Sequence, residues 1–149
     1  MLKVAALLAL MAVEAPSQTP NPACDVLKAD EVASLVGSGA KTIQVSANPH
    51  GASCMYQNGD KMVTVLVAIQ TSNESASDLW TTKKRVAAGQ DLSGWPIKAY
   101  EGSMGKVPMI GLAKGKTFLE VKVIDDTQKL ADIAPKLRAA VKTAAARMP

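Results

Sequence analysis

The stretch Cys54-Met55-Tyr56-Gln57-Asn58-Gly59-Asp60-Lys61-Met62-Val63-Thr64-Val65-Leu66-Val67-Ala68-Ile69-Gln70 decides the fold. Asn58-Gly59 is a strong hairpin signal, because both residue types tolerate positive φ. A short strand, Ser53 to Gln57, precedes it. After it, Val63, Val65, Val67 and Ile69 recur with a period of two and make one apolar face, while Met62, Thr64, Leu66 and Ala68 make a mixed one. The pattern is that of an inner strand of an antiparallel sheet, tied by Cys54 to the start of the domain.

Working outward toward the N-terminus, Cys24 is the first of the two cysteines. Residues 1–17 read as a secretory signal peptide: Lys3 supplies a positive start, and Val4 to Val13 is an apolar core too short to span a bilayer as a helix, which takes about 20 residues. Cleavage fits either Val13-Glu14-Ala15 or Ala15-Pro16-Ser17, the latter leaving Gln18 first. Residues 18–23 form a polar spacer, and 24–149 a single domain without a transmembrane segment. An exported chain with two cysteines most simply pairs them, so a Cys24–Cys54 disulfide is expected. The loop it closes corresponds to about 3–4 kcal/mol in the chain-entropy account. The expected location is therefore periplasmic or secreted.

The first helix is read over Ala29 to Val36, with Asp30 and Glu31 in its first turn and Gly37 as its stop. A weak strand follows from Ala40 to Ala47, then a loop at Asn48-Pro49-His50-Gly51. Beyond the hairpin, Thr71 and Glu74 have capping-box spacing for a second helix, whose apolar face is Ala76, Leu79, Trp80, Val86 and Ala87. Lys83 falls inside that arc. It either lays its stem on the apolar surface or points its ammonium into a pocket. Gln90 to Pro108 is the least regular part, with Ile97 to Glu101 a short strand and Gly102-Ser103-Met104-Gly105 rich in turn residues.

A further hairpin joins Met109–Ala113 to Lys116–Ile124, with Leu119, Val121 and Val123 facing inward and Glu120 and Lys122 facing water. Asp125-Asp126 is explained by helix capping. The last helix runs from about Thr127 to Arg147 on a stripe of Leu130, Ile133, Leu137, Val141 and Ala144. Pro135 either kinks it or lies in the first turn of a helix that begins near Asp132. Gly59–Ala68 and Gly115–Ile124 echo each other at the inward positions, Val63 with Leu119, Val65 with Val121 and Val67 with Val123. The expected fold is α+β: an antiparallel sheet of five or six strands with about three helices, in two hairpin–helix units whose helices cover one face.

The net charge of +4 is uneven, −3 over Met1–Thr82 and +7 over Lys83–Pro149. A basic second half can attract an anionic envelope component or an acidic partner. Aromatics are 3 %, too few for a platform that stacks single-stranded nucleic acid or sugars. No paired histidine, Gly-x-Ser-x-Gly, phosphate-binding loop or dinucleotide fingerprint occurs. No catalytic residue, cofactor or metal site is expected.

Cys24-Asp25-Val26-Leu27, Glu31-Val32 leading to Gly37, Cys54-Met55-Tyr56, and Gly94 followed by Ala99-Tyr100 together resemble a widespread family of small exported bacterial proteins and lipoproteins of uncharacterised function. Lys28 stands where that family carries a threonine cap, and Trp95-Pro96-Ile97-Lys98 replaces its Gly-Asp turn. The resemblance implies an envelope location and an α+β fold, and supplies no activity. The expected function is that of an exported non-catalytic binding or accessory protein whose surface joins Trp95 and Tyr100 to Lys83, Lys84 and Arg85. The alternative is a small-ligand carrier or small enzyme with a pocket between sheet and helices.

Overall fold

The computed structural model describes residues 20–149. The expected leader and the start of the spacer lie outside the described residues. The elements are α1 (Ala29–Val36), β1 (Lys41–Asn48), β2 (Gly51–Asn58), β3 (Lys61–Ile69), α2 (Asn73–Val86), β4 (Gln90–Asp91), β5 (Lys98–Met104), β6 (Val107–Lys114), β7 (Thr117–Ile124) and α3 (Leu130–Ala144), with a final 3₁₀ turn over Ala145–Arg147. The strands form one antiparallel sheet in the order β1-β2-β3-β7-β6-β5-β4.

The α+β class with three helices is as expected, but the strands number seven rather than five or six. The added strand is β4, two residues in the Gln90–Pro108 stretch that pair with β5 at Gln90↔Glu101 and Asp91↔Tyr100, and the same stretch also lengthens β5. Gly102-Ser103-Met104 is strand, not turn, and β5 pairs with β6 from Lys98↔Ala113 to Met104↔Val107. Glycine is needed inside this strand because a Cβ on Gly102 would lie 2.6 Å from the Ala87 carbonyl oxygen. The residue that reads as a turn in sequence is a close approach between a helix end and a strand.

β3 and β7 lie side by side in the middle, with Val63↔Val123, Val65↔Val121 and Val67↔Leu119 in register. The two hairpin–helix units, β2–β3–α2 and β6–β7–α3, meet at this pair. Their helices do not cover one face as expected. Alternate residues of the same strands belong to different cores: Ala99, Ile110, Leu112 and Leu119 pack with α1 and α3, while Tyr100, Met109 and Phe118 pack with Trp80 and Ala87 at α2. With a side-chain period of two, α2 must lie on the opposite face. There it covers β5, β6 and β7 and, among the described residues, leaves most of that side of β1, β2 and β3 bare, with Ala68 of β3 packed on the α2 cluster. The cause is occupancy: α1, stapled by the disulfide, already sits over the inward face of β2 and β3.

Several local expectations also change. The β2–β3 turn is Gly59-Asp60 rather than Asn58-Gly59, because Asn58 pairs with Lys61. Asn58 instead uses its amide to donate to the Val36 and Ser38 carbonyls behind α1. Ser72, not Thr71, caps α2 by accepting from the Ser75 N–H. Val86 on the supposed apolar arc is 64 % exposed, and Ile69 ends β3 partly in water. α3 begins at Leu130 and carries Pro135 inside it.

Glu120 does not face water. It is 2 % exposed beneath α2, for the same reason that the helices are split between faces. The Cys24–Cys54 disulfide is present, with Cα atoms 5.1 Å apart. The end of the nominal spacer is built into the domain: Ala23 is buried, and the Asn21 amide donates to the Ser46 and Ser53 carbonyls. At the other terminus, Arg147 Nε donates to the Val26 carbonyl at 2.9 Å and its guanidinium pairs with Glu31.

Candidate functional site

The Gln90–Pro108 region and the end of α2 build a cleft. α2 stops at Val86, and Ala88 then adopts φ +47°. A left-handed conformation costs a residue with a Cβ about 1–2 kcal/mol. It is held by three backbone bonds: Ala88 N–H to the Arg85 carbonyl, Gly89 N–H to the Lys84 carbonyl at 2.8 Å, and Ser103 N–H to the Ala87 carbonyl at 3.0 Å. Gly89 has no Cβ because one would meet the Tyr100 ring at 2.7 Å. These small residues press the helix end onto β5 and throw β4 to the outside.

Across from this turn stands the first half of α3, and between them lies a cavity of about 420 Å³. Its walls are Ala88, Gln90–Leu92, Glu101–Ser103, Pro108, Leu130, Ala134 and Arg138. The charges around it are paired. Arg138 donates from Nε and Nη2 to the same Glu101 oxygen, at 2.9 and 2.6 Å. Lys84 Nζ lies 2.7 Å from Asp91. Val86, Met104 and Leu130, neighbours of the walls or part of them, are exposed hydrophobics. The cleft therefore offers apolar surface, polar side chains at Ser103 and Gln90, and little unbalanced charge.

A second, closed cluster lies under α2. The Tyr100 ring crosses β6 directly over Gly111, where a Cβ would come within 2.2 Å of it. Its hydroxyl donates to Glu120 Oε2 on β7 at 3.3 Å. Lys122 Nζ lies 2.9 Å from Glu120 Oε1, and Lys83 Nζ 3.9 Å from it. Both ammonium groups thus bring positive charge to the Glu120 oxygen that the Tyr100 hydroxyl does not use. Trp80 stands edge-on to Tyr100 at 5.6 Å, with the Lys98 and Lys84 ammonium groups 4.1 and 5.2 Å from its ring centroid. Burial, the Glu120 charge and the hydrogen bond to it all push the Tyr100 hydroxyl well above its usual range, so it remains a proton donor.

The sequence-proposed residues fall in different places. Trp95 is half-buried against the core beneath α1 and α3, as are Leu92 and Ile97. Tyr100 is fully buried on the α2 side. The two rings are thus separated by the sheet and share no surface. Lys83 and Lys84 stand together on α2, and each faces an acid; Arg85 is exposed. Lys83 thus points its ammonium at a buried carboxylate while about a third of its side chain stays in water. Sequence reading missed Ala88, Glu101 and Arg138 as cleft residues. The available signal was the small run Ala87-Ala88-Gly89, which closes a helix and can approach a strand only where that strand carries a glycine.

At the far end of β7, Asp125 is buried. It accepts from the Thr127 N–H and hydroxyl and from Gln128, with Lys61 Nζ at 3.3 Å. Burial raises its pKa, but these four contacts outweigh it and hold the carboxyl down at about 2. It caps the turn before α3 rather than the helix itself.

Among the described residues, no three or more His, Cys, Asp or Glu side chains gather to hold a metal ion. No described helix is long and apolar enough to cross a membrane. No protein-family model matches the chain, and no curated protein is similar enough to count as a relative.

Proposed function

We propose that the protein is an exported, non-catalytic binding or accessory protein of the bacterial cell envelope, and that it takes its partner in the cleft between the β4–β5 edge and α3. The observation that carries this reading is the cleft itself. A left-handed alanine and two glycines hold it open, it opens among exposed apolar side chains, and its charges are already neutralised by one another. An uncharged stretch of a partner protein fits such a lining better than a polyanion, because Lys84 and Arg138 would first have to leave Asp91 and Glu101. The disulfide supports an oxidising destination.

The test fills the cleft. Ala134→Trp is expected to abolish co-purification of a partner from envelope extracts while leaving the far-UV circular dichroism and the disulfide intact. Equal recovery with both proteins would sink the proposal. A second reading, a small-ligand carrier, is favoured by the volume of about 420 Å³, which lies in the range of small-molecule sites. Native mass spectrometry separates the two: a carrier releases a small molecule on denaturation, whereas a partner-binding module yields a cross-linked polypeptide. Edman sequencing of the exported protein tests the location, with Gln18 or Pro16 expected first.

A further inference from the structure

The two edges of the sheet are built differently. On one side, β4 is two residues long, a common way to blunt an edge. On the other, β1 is eight residues long, every one of them exposed, and no described strand lies beyond it. Its one charge is Lys41 at its first position, and Thr42 to Asn48 carries none. Ile43 and Val45 are 49 % and 56 % exposed. A long, uncharged edge with exposed β-branched residues is a template for another strand.

We propose that β1 is a self-association edge, through which two copies of this chain pair antiparallel and join their sheets into one. The choice of a second copy rests on the strand's own sequence. Pairing about a two-fold axis at Ser46 sets Val45 across from Ala47 of the second copy and Gln44 across from its Asn48. Every opposed pair is uncharged, and Lys41 lies beyond the paired stretch, so like charges do not meet. This register also begins past the irregularity between Thr42 and Gln44, which bends the first residues of the strand out of line.

The neighbouring surfaces fit the same occupant. On the α1 side, Asn21, Cys24, Asp25, Thr42 and Val45 line a groove of about 880 Å³ beside β1. The proposed register brings Val45 and Ala47 of the second copy to that same face. On the other side, the bare half of each sheet carries half-buried Met55, Met62 and Leu66. An axis perpendicular to the sheet places the two bare halves next to each other, as the floor of one trough between two α2 helices. A strongly charged partner strand would find no complement along Thr42–Asn48.

Sedimentation of the purified, disulfide-bonded chain tests the proposal, with hydrogen exchange followed as concentration rises. A dimer is expected in the micromolar range, with β1 amides gaining protection as it forms. Val45→Lys is expected to weaken association at least tenfold and to leave the melting curve of the dilute, monomeric chain unchanged, because the side chain is exposed in the single chain. Ser46→Lys and Ser46→Glu are each expected to be monomeric alone and to form a mixed dimer when combined, since the axis sets these positions against each other. A monomer throughout the micromolar range overturns the proposal. So does a dimer that survives Val45→Lys, or β1 protection that does not depend on concentration, which would mean that another segment covers the edge.

Discussion

The face of the sheet beneath α1 and α3 and the face beneath α2 are made by the same strands, one residue alternating with the next. The first is apolar at its centre, with the Glu101–Arg138 pair at its margin: Val63, Val65, Val67, Leu119, Val121 and Val123 meet Leu137, Val141 and Leu35 in one continuous core. The second has a small core of Trp80, Ala87, Tyr100, Met109 and Phe118. It then buries a carboxylate, Glu120, and ends in bare sheet. Covering a face that carries charged residues forces each charge either to the rim or into a pair. Lys122 and Lys83 keep to the rim, and Glu120 takes them and Tyr100 as partners. The α1–α3 face supplies most of the stability, and the α2 face fixes where the helix sits.

The sharpest way to break this contrast is a truncation on the first face. Leu137→Ala should cost about 2–5 kcal/mol in urea denaturation, the range for a fully buried leucine. A loss no larger than that of a surface substitution would remove the division of labour. On the second face, Glu120→Ala should cost about 1–3 kcal/mol, because the buried Tyr100 hydroxyl loses its acceptor. Glu120→Gln keeps an acceptor and should cost less. Near-zero effects for both would return Glu120 to the solvent, as strand alternation alone suggests.

A pH series sharpens the boundary between the faces at Asp125. Its folded pKa lies below its ordinary value of about 3.9. The stability it contributes is therefore complete above that value and falls as pH drops through about 2, where the folded carboxyl takes up a proton. Asp125→Asn should flatten the stability profile in that window and leave it unchanged near neutrality apart from a constant offset. A variant with the same acid slope as the parent would show that Asp125 is not held as described. The smallest effect is expected at the cleft: Arg138→Ala removes an ion pair whose arginine is half in water and should change stability by no more than about 1 kcal/mol.

Much of the fold was legible where a single signal governed a segment. α1 ends at a glycine and begins with two acids, and its limits, Ala29 to Val36, are those read from the sequence. The valines of β3 and the α3 stripe at Ile133, Leu137 and Val141 are core, and the cysteines are bonded. What was not legible depended on a partner far away in sequence. Gly102 looks like a turn residue until Ala87 is placed on it. Glu120 looks solvated until a helix arrives over the polar side of its strand. Tyr100 looks like a surface ring until Gly111 gives it a path across β6. The candidate cleft shared this fate: its segment, Gln90 to Pro108, drew attention by its irregularity, but its charged wall, Arg138, comes from a helix read purely for its apolar stripe.

Arg147 has a consequence for the order in which the molecule can be completed. Its guanidinium reaches across 121 positions of sequence to the Val26 carbonyl, two residues past the bonded Cys24. During synthesis Val26 emerges first and must wait until the 121 further positions up to Arg147 have been released. A growing chain can close its sulfur bridge early, but it cannot fasten the clasp beside it. Extensions at the C-terminus therefore tug on the beginning of the domain, and clipping the last few residues should loosen α1 before it disturbs the sheet.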